Sequence, residues 1–296
     1  MNTKTKVSAG AIAFVTVIGT SIASAQNIYV ANWGSGEISQ VTPGGSVSGF
    51  ASASYPEGLA FNSSGDLFVS ASGDGQIDEF TPGGSLTVFA NGLNSPNGLA
   101  FNSAGDLFEA DHGSGTIFEF TPTGQESTFV TGLTDPNGLA FDAAGDLFVS
   151  DNYGTSIYEI TPGKVVSTFT TQVDNPIGLA FNTAGDLFEA DYVNGEINEF
   201  VNNGGTLSST PVVFYSGLSH PAGVAFNTAG DLFVSEQGNG DLVEITPTGS
   251  ESVVATGFGN ATAVAISPVP EPSPIVLAAV GGVFGMLIRR KGSKLN

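Results

Sequence analysis

The sequence contains no cysteine, and between residues 26 and 268 it carries a single base, Lys164, against 27 acidic residues. The first absence excludes disulfides, thiolate nucleophiles and cysteine-rich metal centres. An exported chain of this kind must hold itself together by core burial, for which about 240 residues are enough. The scarcity of bases excludes recognition of nucleic acid or anionic lipid headgroups by this stretch, because so negative a surface repels phosphate. It favours divalent cations or cationic polymers. His112 and His220 are the two histidines, too few ligands for zinc. No G-x-S-x-G elbow and no G-x-x-x-x-G-K-[ST] loop occurs, so nucleophilic catalysis and phosphate binding lack their usual devices. Asp111-His112-Gly113-Ser114 sets triad letters in a row, but a triad converges from separate elements, so contiguity carries no weight.

Long apolar runs are missing too. The longest near the C-terminus, 275–288, has 14 residues; at helical rise it makes about 21 Å, short of the roughly 20 residues that cross a bilayer. It follows Pro270-Glu271-Pro272 and precedes Arg289-Arg290-Lys291, a basic end that marks the cytoplasmic side. This tail resembles the PEP-CTERM sorting signal of Gram-negative bacteria. The resemblance implies export, transient membrane anchoring through a hydrophobic helix, processing by an exosortase, and release to the cell surface or extracellular matrix. At the other end, Lys4 and Lys6 precede an apolar run, and Ala23-Ser24-Ala25 fits the small-x-small cleavage rule, so 1–25 reads as a secretory signal peptide. The expected organisation is therefore 1–25 signal peptide, 26–268 folded domain and 269–296 sorting segment.

What is abundant is repetition. Pro56, Pro96, Pro136, Pro176 and Pro221 head five copies of P-x-G-[LV]-A-F, each followed by a turn ending in Gly-Asp and by L-F-[VE]-[SA]. The spacings are 40, 40, 40 and 45 residues, the last lengthened by an insertion near 201–211. The Asn-x-x-Gly-Asp stretch, as in 62–66, separates two short apolar runs and predicts a hairpin turn. Four short strands per repeat is the mark of an all-β propeller blade. Residues 27–45 match the second and third strands of a blade but lack the first, and its equivalent appears as 261–266, ATAVAI. The pattern thus predicts a six-bladed β-propeller whose first blade is completed by a C-terminal strand, a closure that removes exposed sheet edges. The repeats also resemble NHL-repeat propellers and the gluconolactonase (senescence-marker-protein) propellers, families that include scaffolds, ligand binders, lyases and calcium-dependent lactonases. Glu79, Glu119, Glu159, Glu199 and Glu244 depart from them, standing on third strands where an apolar residue is usual.

In such a blade the start of strand one and the end of strand two share a face. Two rings of letters meet there: Glu57, Asn97, Asn137, Ile177, Ala222 and Thr262, and Asn32, Ala71, Asp111, Asp151, Asp191 and Glu236. Glu57, Asn97 and Asn137 come from successive blades and offer oxygen donors of the hard type that calcium takes. By resemblance to the gluconolactonases they match metal ligands at the channel mouth, although the family's Asp has no clear counterpart. Asp111, Asp151, Asp191 and Glu236 add negative charge to the rim, or satisfy backbone N–H groups as Asx turns do. Trp33, His112, Tyr153 and Tyr192 lie in loops of that face and suit sugar binding, or pack between loops. His220, before Pro221, is expected to pack at a blade entrance. The leading expectation is a non-enzymatic, exported binding or scaffold module for polysaccharide, assisted by calcium. The alternative is a calcium-dependent lactonase with Asp111 or Asp151 as base.

Overall fold

A computed structural model describes residues 26–268; the signal-peptide and sorting-segment expectations lie outside the described residues. Six four-stranded antiparallel sheets make up the fold, and there is no helix among the described residues. Numbered in chain order, blades 2 to 6 begin at Pro56, Pro96, Pro136, Pro176 and Pro221, and in each the strands run from inner to outer in sequence order. Blade 1 takes its inner strand from Ala261–Ile266, paired antiparallel with Ile28–Asn32. The inner strands neighbour one another around a closed ring, the sixth lying between Pro221–Phe226 and Pro56–Phe61.

At that seam non-covalent bonds replace the hairpin turn of the other blades. Ser267 N–H donates to Asn27 O at 2.9 Å, and Gln26 Nε2 donates to Ser267 O at 2.7 Å. In blade 2 the same place is a covalent turn, in which Asn62 Oδ1 accepts from the amides of Ser64 and Asp66 at 2.9 and 2.8 Å. Asn102, Asp142, Asn182 and Asn227 repeat it, so the predicted hairpin turns are present.

The invariant glycine of P-x-G answers to the crowding of the inner strands. A Cβ on Gly58, Gly98, Gly138 or Gly178 would stand 2.0–2.3 Å from the backbone carbonyl oxygen of the next blade, a separation that no side chain survives. The inner-strand register shifts between the proline and the following Leu or Val, a bulge that recurs in blades 2 to 6. Such a bulge bends the strand and re-aims a side chain.

Between blades the core is aromatic. Phe68 lies edge-on between Phe89 of its own outer strand and Phe101 of the next inner strand, with ring centroids 5.0 and 5.1 Å apart. Tyr29, Phe108, Phe148 and Phe188 are clasped by two phenyl rings in the same way. Each edge-to-face pair contributes about 0.5–1.5 kcal/mol beyond its buried area.

A second pattern has a period of two blades. The middle of strand two reads Val-Ser in blades 2, 4 and 6 (Val69-Ser70, Val149-Ser150, Val234-Ser235) and Glu-Ala in blades 3 and 5 (Glu109-Ala110, Glu189-Ala190). Ser70 Oγ accepts from Gly58 N–H and donates to Asn97 O of the next blade, both at 2.6 Å; Ser150 bonds Gly138 N–H and Ile177 O in the same way. Successive side chains of a strand point to opposite faces, so Glu109 faces the junction that Ser70 serves, and Glu189 the one that Ser150 serves. Polar junctions therefore alternate with apolar ones.

Glu109 and Glu189 are fully buried. Asn198 Nδ2 donates to Glu189 Oε2 at 3.0 Å, while Glu109 has no side-chain partner and only the Asn97 backbone amide nearby to favour its charge. Burial, then the nearby charge of Asp111, holds the Glu109 carboxyl well above the ordinary range. Its ionisation therefore opposes folding: stability is fully present below the ordinary carboxyl range and declines as pH rises towards the raised value. Glu109→Val, the residue that blades 2, 4 and 6 carry there, is expected to stabilise the protein by about 1–3 kcal/mol at pH 8. The gain should be smaller at pH 4, as checked by thermal melts at both pH values.

Candidate functional site

Pairing of Pro56 with Ala71, Pro96 with Asp111 and Pro136 with Asp151 puts the starts of the inner strands and the ends of the second strands on one face. The channel mouth there opens into a cavity of about 300 Å³. The structure brings Glu57, Asn97 and Asn137 together on its wall, with Ile177, Ala222 and Thr262 completing the ring. Thr262 turns its hydroxyl to the backbone, donating to Pro56 O at 2.9 Å. Polar side chains of the ring are thus gathered on the arc of blades 2 to 4.

Two more rings stand on the same face, and His112, Asn152, Asn175, Tyr192 and Gln237 of them line the cavity. One is the residue just after strand two: Trp33, Ser72, His112, Asn152, Tyr192 and Gln237. The other is the residue just before the inner strand: Tyr55, Ser95, Asp135, Asn175, His220 and Asn260. Five of the latter have positive φ, between 50° and 58°, although none is glycine. Such residues cost of order 1–3 kcal/mol each and gather at functional sites.

The two rings meet in pairs across the blade junctions. Trp33 and Tyr55 stack with centroids 4.8 Å apart at 33°, and Tyr192 and His220 at 4.7 Å and 39°. Between blades 3 and 4, His112 Nδ1 lies against Asp135 Oδ1. Asp135 is buried, and burial raises its carboxyl above the ordinary range, with the His112 charge opposing and Asp151 reinforcing the rise. Asn152 and Asn175 hold the corresponding places at the next junction. Both line the cavity, and each has a buried amide oxygen without a side-chain or backbone partner. Six near-identical blades thus present different pairs at their junctions. Asp135, Asn152, Asn175 and Gln237 were not singled out from the sequence; His220 stands at the entrance of blade 6, packed on Tyr192. The letter before each proline varies as freely as the letter after it, and that variation was the available signal.

The acids ending strand two are placed differently from a charged rim. Asp111, Asp151, Asp191 and Glu236 are buried. Asp151 accepts from Thr134 N–H and from Gly154 N–H, both at 3.0 Å. Asp111 accepts from the amides of Asn94 and Ser114, and Asp191 from those of Asp174 and Asn194. Glu236 accepts from Ser219 N–H and Asn239 Nδ2. Asn32, in the same ring, donates to Glu37 O and to Ser39 Oγ at 3.0 Å each. These side chains pin the mouth loops to the blades, the turn role of the two that their letters allow. Half-buried carboxylates are grouped on the opposite face, where burial and then Asp66 raise the Glu79 carboxyl, and burial, Asp146 and Asp142 raise that of Glu159. Trp33 is partly exposed and Tyr153 is 78% exposed, beside the cavity that Tyr153, Tyr192 and His112 help to line.

Glu57 is the carboxylate on the cavity wall. Burial pushes its carboxyl up to about 7, offset in part by a hydrogen bond from the Trp33 indole. A calcium ion takes 6–8 oxygens, commonly several from carboxylates; here the donors are one carboxyl and two amides, with no group of three or more His, Cys, Asp or Glu among the described residues. The donor set is sparse for a divalent cation and well suited to hydrogen bonding.

No protein-family model and no curated protein matches the chain. Among solved structures it is similar to one in a nidogen/laminin complex, with TM-score 0.73 and 18% identity over 82% of this chain and 98% of that one. A gluconolactonase from Xanthomonas campestris is similar with TM-score 0.66 and 20% identity over 81% and 87%. Virginiamycin B lyase from Staphylococcus aureus gives TM-score 0.57 and 15% identity over 74% and 85%. At these identities the likeness establishes the six-bladed propeller fold alone.

Two outcomes follow from the geometry. Asp151→Ala strands two amides and is expected to cost about 1–3 kcal/mol of stability, whereas Tyr153→Ala leaves the melting temperature unchanged; differential scanning calorimetry of the two variants checks this. Glu57 is neutral both folded and unfolded below its ordinary value, and its ionisation opposes folding as pH rises towards about 7. Glu57→Gln should therefore melt like wild type at pH 4 and be more stable at pH 8, by up to about 3 kcal/mol.

Proposed function

We propose that this chain is an exported, non-enzymatic binding module whose channel mouth takes sugar units of an extracellular polysaccharide. The observation that carries the reading is the cavity whose wall sets Tyr153 and Tyr192 beside the amides of Asn97, Asn137, Asn152, Asn175 and Gln237. Aromatic faces cover the apolar side of a pyranose, while amides satisfy its hydroxyl donors and acceptors. The signal-like residues 1–25 and the sorting-like tail 269–296 support export, processing by an exosortase and presentation at the cell surface or in matrix.

A second reading is a calcium-dependent lactonase with the metal at Glu57, Asn97 and Asn137. The gathering of these three on one wall favours it, as does the likeness to a gluconolactonase. The sparse donor set and the buried, amide-bonded Asp111 and Asp151 weigh against it.

Glycan-array binding by the wild type is expected to be lost in Trp33→Ala and in Tyr192→Ala, with their melting temperatures retained. Binding unchanged in both would sink the sugar reading. Aldonolactones are expected to show no turnover; turnover that disappears with EDTA and in Asn97→Ala would establish the second reading in its place.

A further inference from the structure

The face opposite the mouth has a cavity of its own, at the seam where blade 6 meets blade 1. It measures about 430 Å³, with Ile28, Phe233, Val254 and Ile266 among its walls and Gln26 and Thr228 at its edge. The repeat supplies the cause. At five junctions an aromatic of strand two is clasped between two phenyl rings, one from its own outer strand and one from the next inner strand. At the seam Phe233 keeps the central place, but the flanking positions hold Val254 and Ile266.

The covering turn keeps its place: Gly45 lies against the Val254 backbone carbonyl, as Gly84 and Gly124 lie against those of Phe50 and Phe89. The edge of the cavity is firmly built. Gln26 Oε1 accepts from both the amide and the hydroxyl of Thr228 at 3.0 Å, and its Nε2 donates to Ser267 O. Ser252 and Glu244 contribute polar groups to the lining.

We propose that this seam cavity binds a small neutral aromatic ligand of the phenol class. Its ring takes the place, edge-on to Phe233, that phenylalanine side chains occupy at the other junctions, and its hydroxyl has Ser252 and Glu244 on the lining as partners. The volume lies within the range of small-molecule pockets. The carboxylate of Glu244 disfavours anionic ligands, and the apolar wall disfavours fully polar ones. This site is independent of the mouth.

The test is titration of para-fluorophenol into the full chain, followed by fluorine NMR line broadening. Saturable binding is expected, competed by phenol and not by cyclohexanol, a non-planar molecule of similar size. Val254→Phe and Ile266→Phe restore a ring from opposite walls; each should abolish binding and raise the melting temperature. Trp33→Ala, at the mouth, should bind as wild type does. Absence of saturable binding to the wild type, or binding that persists in both filled variants, would overturn the proposal.

Discussion

The close approach of neighbouring inner strands around the channel is the constraint on which the rest of the molecule rests. It leaves no room for a side chain at the third letter of P-x-G, where a Cβ would reach within 2.0–2.3 Å of the next blade's carbonyl oxygen in blades 2 to 5. The glycine in turn permits the bulge, the bulge places the second letter at the mouth, and the proline opens the strand. The seam strand departs from this text, with Ala261, Ala263 and Ile266 at the Pro, Gly and Phe positions. It is joined to its blade by hydrogen bonds alone, and it is where the aromatic clasp opens into a cavity.

A closed ring of near-identical blades would present six identical surfaces unless variation were confined to places the fold tolerates. Those places are the letters on either side of the invariant proline and the letter after strand two. They lie at the starts of the inner strands and on loops pinned by Asp111, Asp151, Asp191 and Glu236, whose carboxylates accept from backbone amides. At Ser95, Asn175 and His220 the amide one residue upstream is bonded to Asp111, Asp191 or Glu236, which helps to hold the positive φ; Tyr55 and Asn260 hold it without such an acid. The pinning also separates the acids inside the mouth loops from the half-buried ones grouped on the opposite face.

Much of the architecture was legible in the chain. The 40-residue period, the Asn-x-x-Gly-Asp turns and the orphan ATAVAI strand specify six blades and a split first blade, because strand length, turn chemistry and repeat register are local properties. The gathering of Glu57, Asn97 and Asn137 was legible too, since equivalent letters of a closed repeat must form a ring. The roles of the acids were not, because one letter serves equally for a rim charge and for an Asx turn, and burial decides between them. The Val-Ser and Glu-Ala alternation lay open in the text, yet its sense depends on which face of strand two meets which neighbour.

The sequence by itself determined the blade, its number and its closure, since each blade repeats interactions made within about 40 residues and closure needs only one displaced strand. The tertiary structure alone decided the junction pairs, such as Trp33 with Tyr55 and His112 with Asp135, and the seam cavity between Phe233, Val254 and Ile266. The physical reason is that these sites lie between blades. Their geometry is set by how one sheet's side chains interdigitate with the next across the ring, and at the seam those partners stand at opposite ends of the chain.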